Sequence, residues 1–264
     1  MTESILVTVA DGLARVTFNR PASLNAMDFE MGGRWRDIAH EITTDASIGA
    51  VILDAAGPAF CAGGDVVAMG TSGATGADVT AAAHVIHDGI RTFVQSDKPI
   101  VAAVQGAVAG GGLGLMLTAD YIVAADSARF VSKYANIGLT PDLGVSTLLP
   151  AAIGQRRALQ LLLQDRSLTA AEALEWGLVA EVLPAGEIAA RAEEIARFWL
   201  VNATAAFGQA KRLVRTGADR TFAENLDDEA ASIGARFDTD ESRVRVAAFA
   251  AASAKSSRSA KSAK

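Results

Sequence analysis

A single cysteine, Cys61, occurs among the 264 residues, so no internal disulfide can form and a reducing compartment is expected. No apolar run approaches the roughly 20 residues that a membrane-spanning helix needs. The opening stretch, MTESILVTVADG, has no basic segment followed by a long apolar core, so no secretory leader is expected. A cytoplasmic protein without a membrane partner is the expectation. Basic residues are outnumbered, and the formal net charge of −6 excludes the cationic surface of a nucleic-acid binder. Aromatics make up only 6% of the chain, which argues against a stacking surface for bases or sugars. No cluster of Cys, His and carboxylates has metal-ligand spacing, so no metal centre is expected.

Half the residues are hydrophobic, enough for a substantial core, and Ala and Gly are plentiful, which suits close packing of helices. Ile5–Val9 and Leu13–Phe18 are β-prone runs joined by Ala10-Asp11-Gly12, a hairpin signal. Met27, Met31, Trp35, Ile38 and Ile42 then recur at helical spacing. Ala50–Leu53, Ile100–Val104 and Tyr121–Ala125 suit buried strands. Helical patterns alternate with them over Val79–Gln95, Gly112–Ala119, Arg156–Gln164 and Thr169–Trp176. This alternation predicts an α/β fold. After about residue 186 only helices are expected, over Glu187–Thr216, Phe222–Arg236 and Ser242–Ala252. Three regions result: an α/β core over 1–200, a helical segment over 201–252 suited to packing on another subunit, and a flexible basic tail over 253–264. The tail carries Lys255, Arg258, Lys261 and Lys264, either as a solvated terminus or as a handle for an acidic partner. Gly70–Gly76 has the composition of a mobile surface loop.

Two glycine-bearing stretches carry the chemistry. Phe60-Cys61-Ala62-Gly63-Gly64-Asp65 follows a strand, and its glycines are either a plain turn or a device for aiming N–H groups at a bound oxygen. Asp65 is placed to cap the next helix. Gly106 to Gly114 holds five glycines between a strand and a helix, where unpaired N–H groups and the helix dipole welcome anionic oxygen. No Gly-Lys-Ser/Thr follows, which excludes a Walker loop, and the spacing does not fit a dinucleotide fingerprint. Cys61 has no nearby base and is expected to be a buried filler, not a nucleophile.

Asn19-Arg20-Pro21, Leu24-Asn25-Ala26, the FCAGGD stretch and GAVAGGGLG stand in the order and spacing of the crotonase (enoyl-CoA hydratase/isomerase) superfamily, which the chain resembles over residues 4–252. Ala128-Arg129-Phe130, Gly138-Leu139-Thr140-Pro141-Asp142 and the stretch Ala171 to Val179 agree with it. The resemblance implies a spiral of ββα units followed by C-terminal helices that assemble homotrimers or hexamers. It implies an acyl-CoA substrate whose thioester oxygen is held by the N–H groups of Ala62 and Gly111, with substrate contacts at Leu24, Gly64, Asp65 and Val66. It implies no separate cofactor, coenzyme A being part of the substrate.

Two departures from the family pattern bear on the reaction. Family hydratases use two glutamates to activate water, and the matching positions here are Gly114 and Tyr134. Asp142 instead falls where isomerase-like relatives and 4-chlorobenzoyl-CoA dehalogenases place a catalytic aspartate; outside that resemblance it is a turn residue after Pro141. His87 matches the dehalogenase base, and Tyr134 the group that hydrogen-bonds the aspartate. Three functions follow: an enoyl-CoA isomerase using Asp142 as acid/base; a dehalogenase using Asp142 as nucleophile and His87 as base; and a non-catalytic binding protein of this fold.

Overall fold

The computed structural model describes the backbone of residues 3–262 and the side chains as far as Ser253. β1 (Ile5–Ala10) and β2 (Leu13–Phe18) form the expected hairpin. Its turn is Asp11-Gly12, both at positive φ (51° and 78°), the backbone shape that an Asp-Gly pair favours. α1 (Phe29–Thr44) begins where the Asp28 side chain accepts the Met31 N–H. It is followed by β3 (Ala50–Ala55), α2 (Val66–Thr71), α3 (Gly76–Gln95), β4 (Ile100–Val104), β5 (Ala107–Ala109) and α4 (Gly111–Leu117). Next come β6 (Tyr121–Ala125), β7 (Arg129–Val131), α5 (Val145–Ile153), α6 (Gln155–Leu163), β8 (Ser167–Thr169), α7 (Ala170–Trp176) and β9 (Glu181–Leu183). Helices α8 (Ile188–Val201), α9 (Thr204–Gly217), α10 (Phe222–Phe237) and α11 (Asp240–Ser262) complete the chain.

The strands form two sheets. The larger runs β1-β2-β3-β4-β6-β9, parallel throughout except for the first pair. The smaller runs β5-β7-β8, and Cys61 extends it by a parallel bridge to Val108. Consecutive chain segments therefore give one strand to each sheet and then a helix: β3, the Cys61 bridge and α2–α3; then β4, β5 and α4; then β6, β7 and α5–α6. That is a spiral of ββα units. The central parallel strands β3, β4 and β6 read as apolar runs because both faces of the sheet are covered there. On one face Phe18, Trp35, Phe60, Phe93 and Phe130 are fully buried. On the other, Ile188, Ala192, Ile195 and Ala196 of α8 pack on Ile52, Val101 and Val123. Burying each such isoleucine stabilises the fold by about 1.5–3 kcal/mol.

Several local expectations need correction. Glu187–Thr216 is two helices, α8 and α9, interrupted at Asn202-Ala203, where Thr204 turns its hydroxyl back onto the Trp199 carbonyl. The loop expected over Gly70–Gly76 shrinks to residues 72–75, because Asp65 and the Thr75–Asp78 capping box start helices on either side. β5, β7, β8 and β9 are three residues each, too short to register as periodic patterns. α11 continues past Ala252 to Ser262, as its alanines and lysines favour. The side chains of Lys255, Arg258 and Lys261, and all of Lys264, lie outside the described residues. Among those residues no helix is long and apolar enough to cross a membrane, and no group of His, Cys and carboxylates could hold a metal ion.

Candidate active site

The two glycine stretches, distant in sequence, meet because Cys61 and β5 are neighbours in the small sheet. Cys61 N–H donates to the Ala107 carbonyl and Ala109 N–H to the Cys61 carbonyl. This pairing sets Gly63 against the start of α4. A Cβ on Gly63 would lie 2.8 Å from the Ala109 oxygen and 3.2 Å from the Gly111 nitrogen, and Gly63 has φ +99°. Only glycine meets both demands. A Cβ on Gly112 would strike the Cys61 oxygen at 2.2 Å. Cys61 itself is fully buried, its thiol pushed up to about 12 by burial, which leaves it protonated and inert.

The two expected oxyanion donors differ in their present partners. Gly111 opens α4 and its N–H has no protein acceptor among the described residues. Ala62 N–H instead donates to the Leu24 carbonyl at 3.0 Å. Leu24 and Asn25 both have positive φ (50° and 57°), which turns the Leu24 carbonyl toward Ala62. The buried Asn25 amide donates to the carbonyls of Ala56 and Ala59 and accepts the Arg20 N–H, holding this loop in place.

The expected substrate-contact residues border the same region. Leu24 and Val66 are exposed, at 42% and 45%, and Gly64 is bridged to Met27. The Asp65 carboxylate is already committed: it accepts the Ala68 N–H as the cap of α2 and pairs with Arg20 at 3.0 Å. Arg20 also pairs with Asp28 at 3.0 Å, so the Asn-Arg-Pro motif ties the starts of α1 and α2 together.

Asp142 approaches Gly111 from the loop before α5. A Cβ on Gly111 would stand 3.5 Å from Asp142 Oδ1 and 2.6 Å from the Leu143 side chain. The Tyr134 hydroxyl donates to Asp142 Oδ1 at 2.5 Å. Burial first, and the adjacent Asp142 charge second, raise the Tyr134 phenol well above its ordinary range, so it remains a neutral donor. His87, on α3, completes the cluster, its Nε2 accepting the Leu143 N–H at 3.0 Å. That bond assigns the ring proton to Nδ1. Desolvation is the largest cause lowering the His87 pKa, opposed by the Asp142 charge, so the neutral ring is favoured. α3 is oriented by close contact with α1: glycines 32 and 89 leave no space between the Ile86 and Trp35 side chains and the facing backbone.

The loop around Asp142 also explains the residue at 114. A Cβ there would fall 1.9 Å from the Leu143 carbonyl oxygen and 2.8 Å from its carbon. Leu143 has φ +48° with its side chain buried, a costly conformation that its neighbours must hold. Position 114 therefore has no room for any side chain, let alone a glutamate. The sequence showed glycine there but not what fills the space, because the Leu143 backbone is 29 residues further along.

Known proteins resemble this chain in sequence and in fold. The enoyl-CoA hydratase/isomerase family profile matches residues 8–255. The 1,2-epoxyphenylacetyl-CoA isomerase of Escherichia coli (strain K12) is 33% identical over 232 residues, 86% of this chain and 87% of that protein. The 4-chlorobenzoyl coenzyme A dehalogenase-2 of an Arthrobacter species is 34% identical over 220 residues, covering 83% and 80%. The crystal structure of an enoyl-CoA hydratase from Bacillus anthracis superposes with a TM-score of 0.87 at 29% identity, covering 94% of this chain and 96% of that one.

Proposed function

Because the chain belongs to the enoyl-CoA hydratase/isomerase family, we propose that it is an enoyl-CoA isomerase in which Asp142 carries a proton between two carbons of the acyl chain. The observation that supports this most is the Asp142 carboxylate beside Gly111, its Oδ1 3.5 Å from a Cβ position there. The Gly111 N–H, and that of Ala62 once it exchanges the Leu24 carbonyl for substrate, hold the thioester oxygen. Asp142 removes a proton from the carbon next to the thioester of a 3-enoyl-CoA. The electron pair of that C–H bond spreads through the chain to the oxygen, where the two N–H groups stabilise the charge; one such donor is worth ~10²–10³ in rate. Asp142 then returns the proton two carbons further along, giving the conjugated 2-enoyl-CoA. One carboxylate serves both halves, and no water takes part. Hydration needs water activated by carboxylates, which glycine at 114 and a phenol at 134 do not supply.

Asp142→Asn preserves shape but cannot accept the proton. Turnover of 3-enoyl-CoA should fall by about 10²–10⁴ with little change in binding. Equal turnover by the Asn variant would reduce Asp142 to a turn residue. The dehalogenase alternative draws on the Tyr134–Asp142 hydrogen bond and on His87 beside it. Against it, His87 Nε2 already accepts the Leu143 N–H, so it has no lone pair there for activating water. Chloride release from 4-chlorobenzoyl-CoA would favour that alternative.

The exposed apolar side chains of the C-terminal helices, among them Val214, Phe222, Ile233 and Phe249, each more than 70% exposed, support a homotrimer or hexamer.

A further inference from the structure

We propose that His87 is a positioning residue: its unprotonated Nε2 grips the Leu143 N–H and so holds the Asp142 carboxylate against Gly111. This deepens the isomerase reading and rests on it, since Asp142 is the group being positioned. The loop is gripped from two sides. On one, the Leu143 carbonyl is pressed against Gly114, where a Cβ would lie 1.9 Å away. On the other, the Leu143 N–H is held by His87 at 3.0 Å. Between these contacts Leu143 keeps φ +48°, a conformation costly for leucine that the loop would leave if one grip were lost. The ring's own placement is secured by α3, in which Ile86 and Ile90 are buried on either side of it in sequence. Asp142 takes its remaining support from Tyr134. Tyr134 thus restrains the carboxylate itself, while His87 restrains the backbone that carries it.

A proton on Nε2 would turn the acceptor into a donor facing another donor and release the loop. Three charged or titratable groups bear on that ring: Asp142 from the loop favours the protonated form, while His84 and Arg91 on α3 oppose it.

Two variants and one spectrum test the assignment. His87→Gln keeps an acceptor for the Leu143 N–H, whereas His87→Leu keeps only bulk. For 3-enoyl-CoA isomerisation, kcat of the Leu variant should fall by roughly 10–100-fold, as loss of about an ångström in placement does. KM should stay nearly constant, and the Gln variant should recover most of the loss. Equal losses in both variants would mean that the imidazole moves protons, and the proposal would fail. The protein has three histidines, so a spectrum with 15N-labelled histidine can be assigned by substitution. It should show His87 protonated at Nδ1 and bare at Nε2, with the Leu143 amide exchanging slowly in the parent and the Gln variant. A proton on Nε2 at neutral pH, or a rapidly exchanging Leu143 amide in the parent, would overturn the assignment without any assay of turnover. Failure of the parent to isomerise any 3-enoyl-CoA would refute the isomerase function alone, and the spectrum would still decide the role of His87.

Discussion

Adding one methyl group at position 114 tests whether the backbone of the Asp142 loop determines the chemistry. In Gly114→Ala the new Cβ would lie 1.9 Å from the Leu143 oxygen, 2.8 Å from its carbon and 3.3 Å from the Val145 side chain. Real Cβ contacts essentially never fall below 3.0 Å. In an interior packed as densely as a crystal, the Leu143 backbone must therefore retreat by roughly 1 Å. No flexible side-chain end can yield instead, since the nearest atoms are main-chain atoms. Overpacking of this kind costs about 1–3 kcal/mol, and each kcal/mol lowers Tm by roughly 2–4 °C in a chain of this size. Asp142 immediately precedes Leu143 and moves with it, and a misplacement of about 1 Å at a reacting group costs ~10² in rate. Thermal unfolding by calorimetry and isomerisation of a 3-enoyl-CoA, followed by absorbance of the conjugated product, give the two readouts. A modest fall in Tm with a disproportionate fall in kcat is expected. Gly114→Glu, which restores the residue type of family hydratases, should gain no hydration of crotonyl-CoA, because its carboxylate has no space to enter. An Ala variant as stable and as active as the parent would show that Leu143 does not fill this space. A Glu variant that hydrates crotonyl-CoA would refute the same point from the other side.

Acyl-CoA should bind far more tightly than the corresponding free acid, since the site is organised around a thioester oxygen; equal affinities by calorimetry would remove the basis of the functional assignment. Stability should fall in mild acid through His87. Its folded pKa lies below the ordinary value of 6.5, so the contribution of the neutral ring is complete above that value and is lost as pH falls through the folded pKa. Thermal unfolding of His87→Gln should therefore lose less between pH 7 and pH 5 than that of the parent, and identical losses would contradict the assigned direction. Light scattering at micromolar concentration should give a trimer or a multiple of it; a monomer would leave the exposed Phe222, Ile233 and Phe249 unexplained.

Much of this protein is legible in one dimension. Strands β3, β4 and β6 are apolar runs because their part of the sheet is covered on both faces, and β1 and β2 show themselves by their hairpin turn. The long helices announce themselves by spacing, and caps such as Asp65 by residue type. The glycine stretches identify the family because their backbone demands admit no other residue. Three-residue strands such as β5 and β7 carry no periodic signal, and their pairing depends on partners elsewhere in the chain. The site follows the same division. The resemblance to the family indicated Asp142, Tyr134 and His87 as candidates, with Tyr134 bonded to the carboxylate as the structure has it. Nothing in the sequence showed that His87 accepts the backbone N–H of the next residue, Leu143. Nor did it show that Ala62 N–H is already satisfied by Leu24. Sequence determined which groups were available; the tertiary structure decided which lone pairs and donors were already taken. A hydrogen bond depends on position in space to within a few tenths of an ångström, and only the packed spiral brings residues 24, 62, 87, 111 and 142 to that precision.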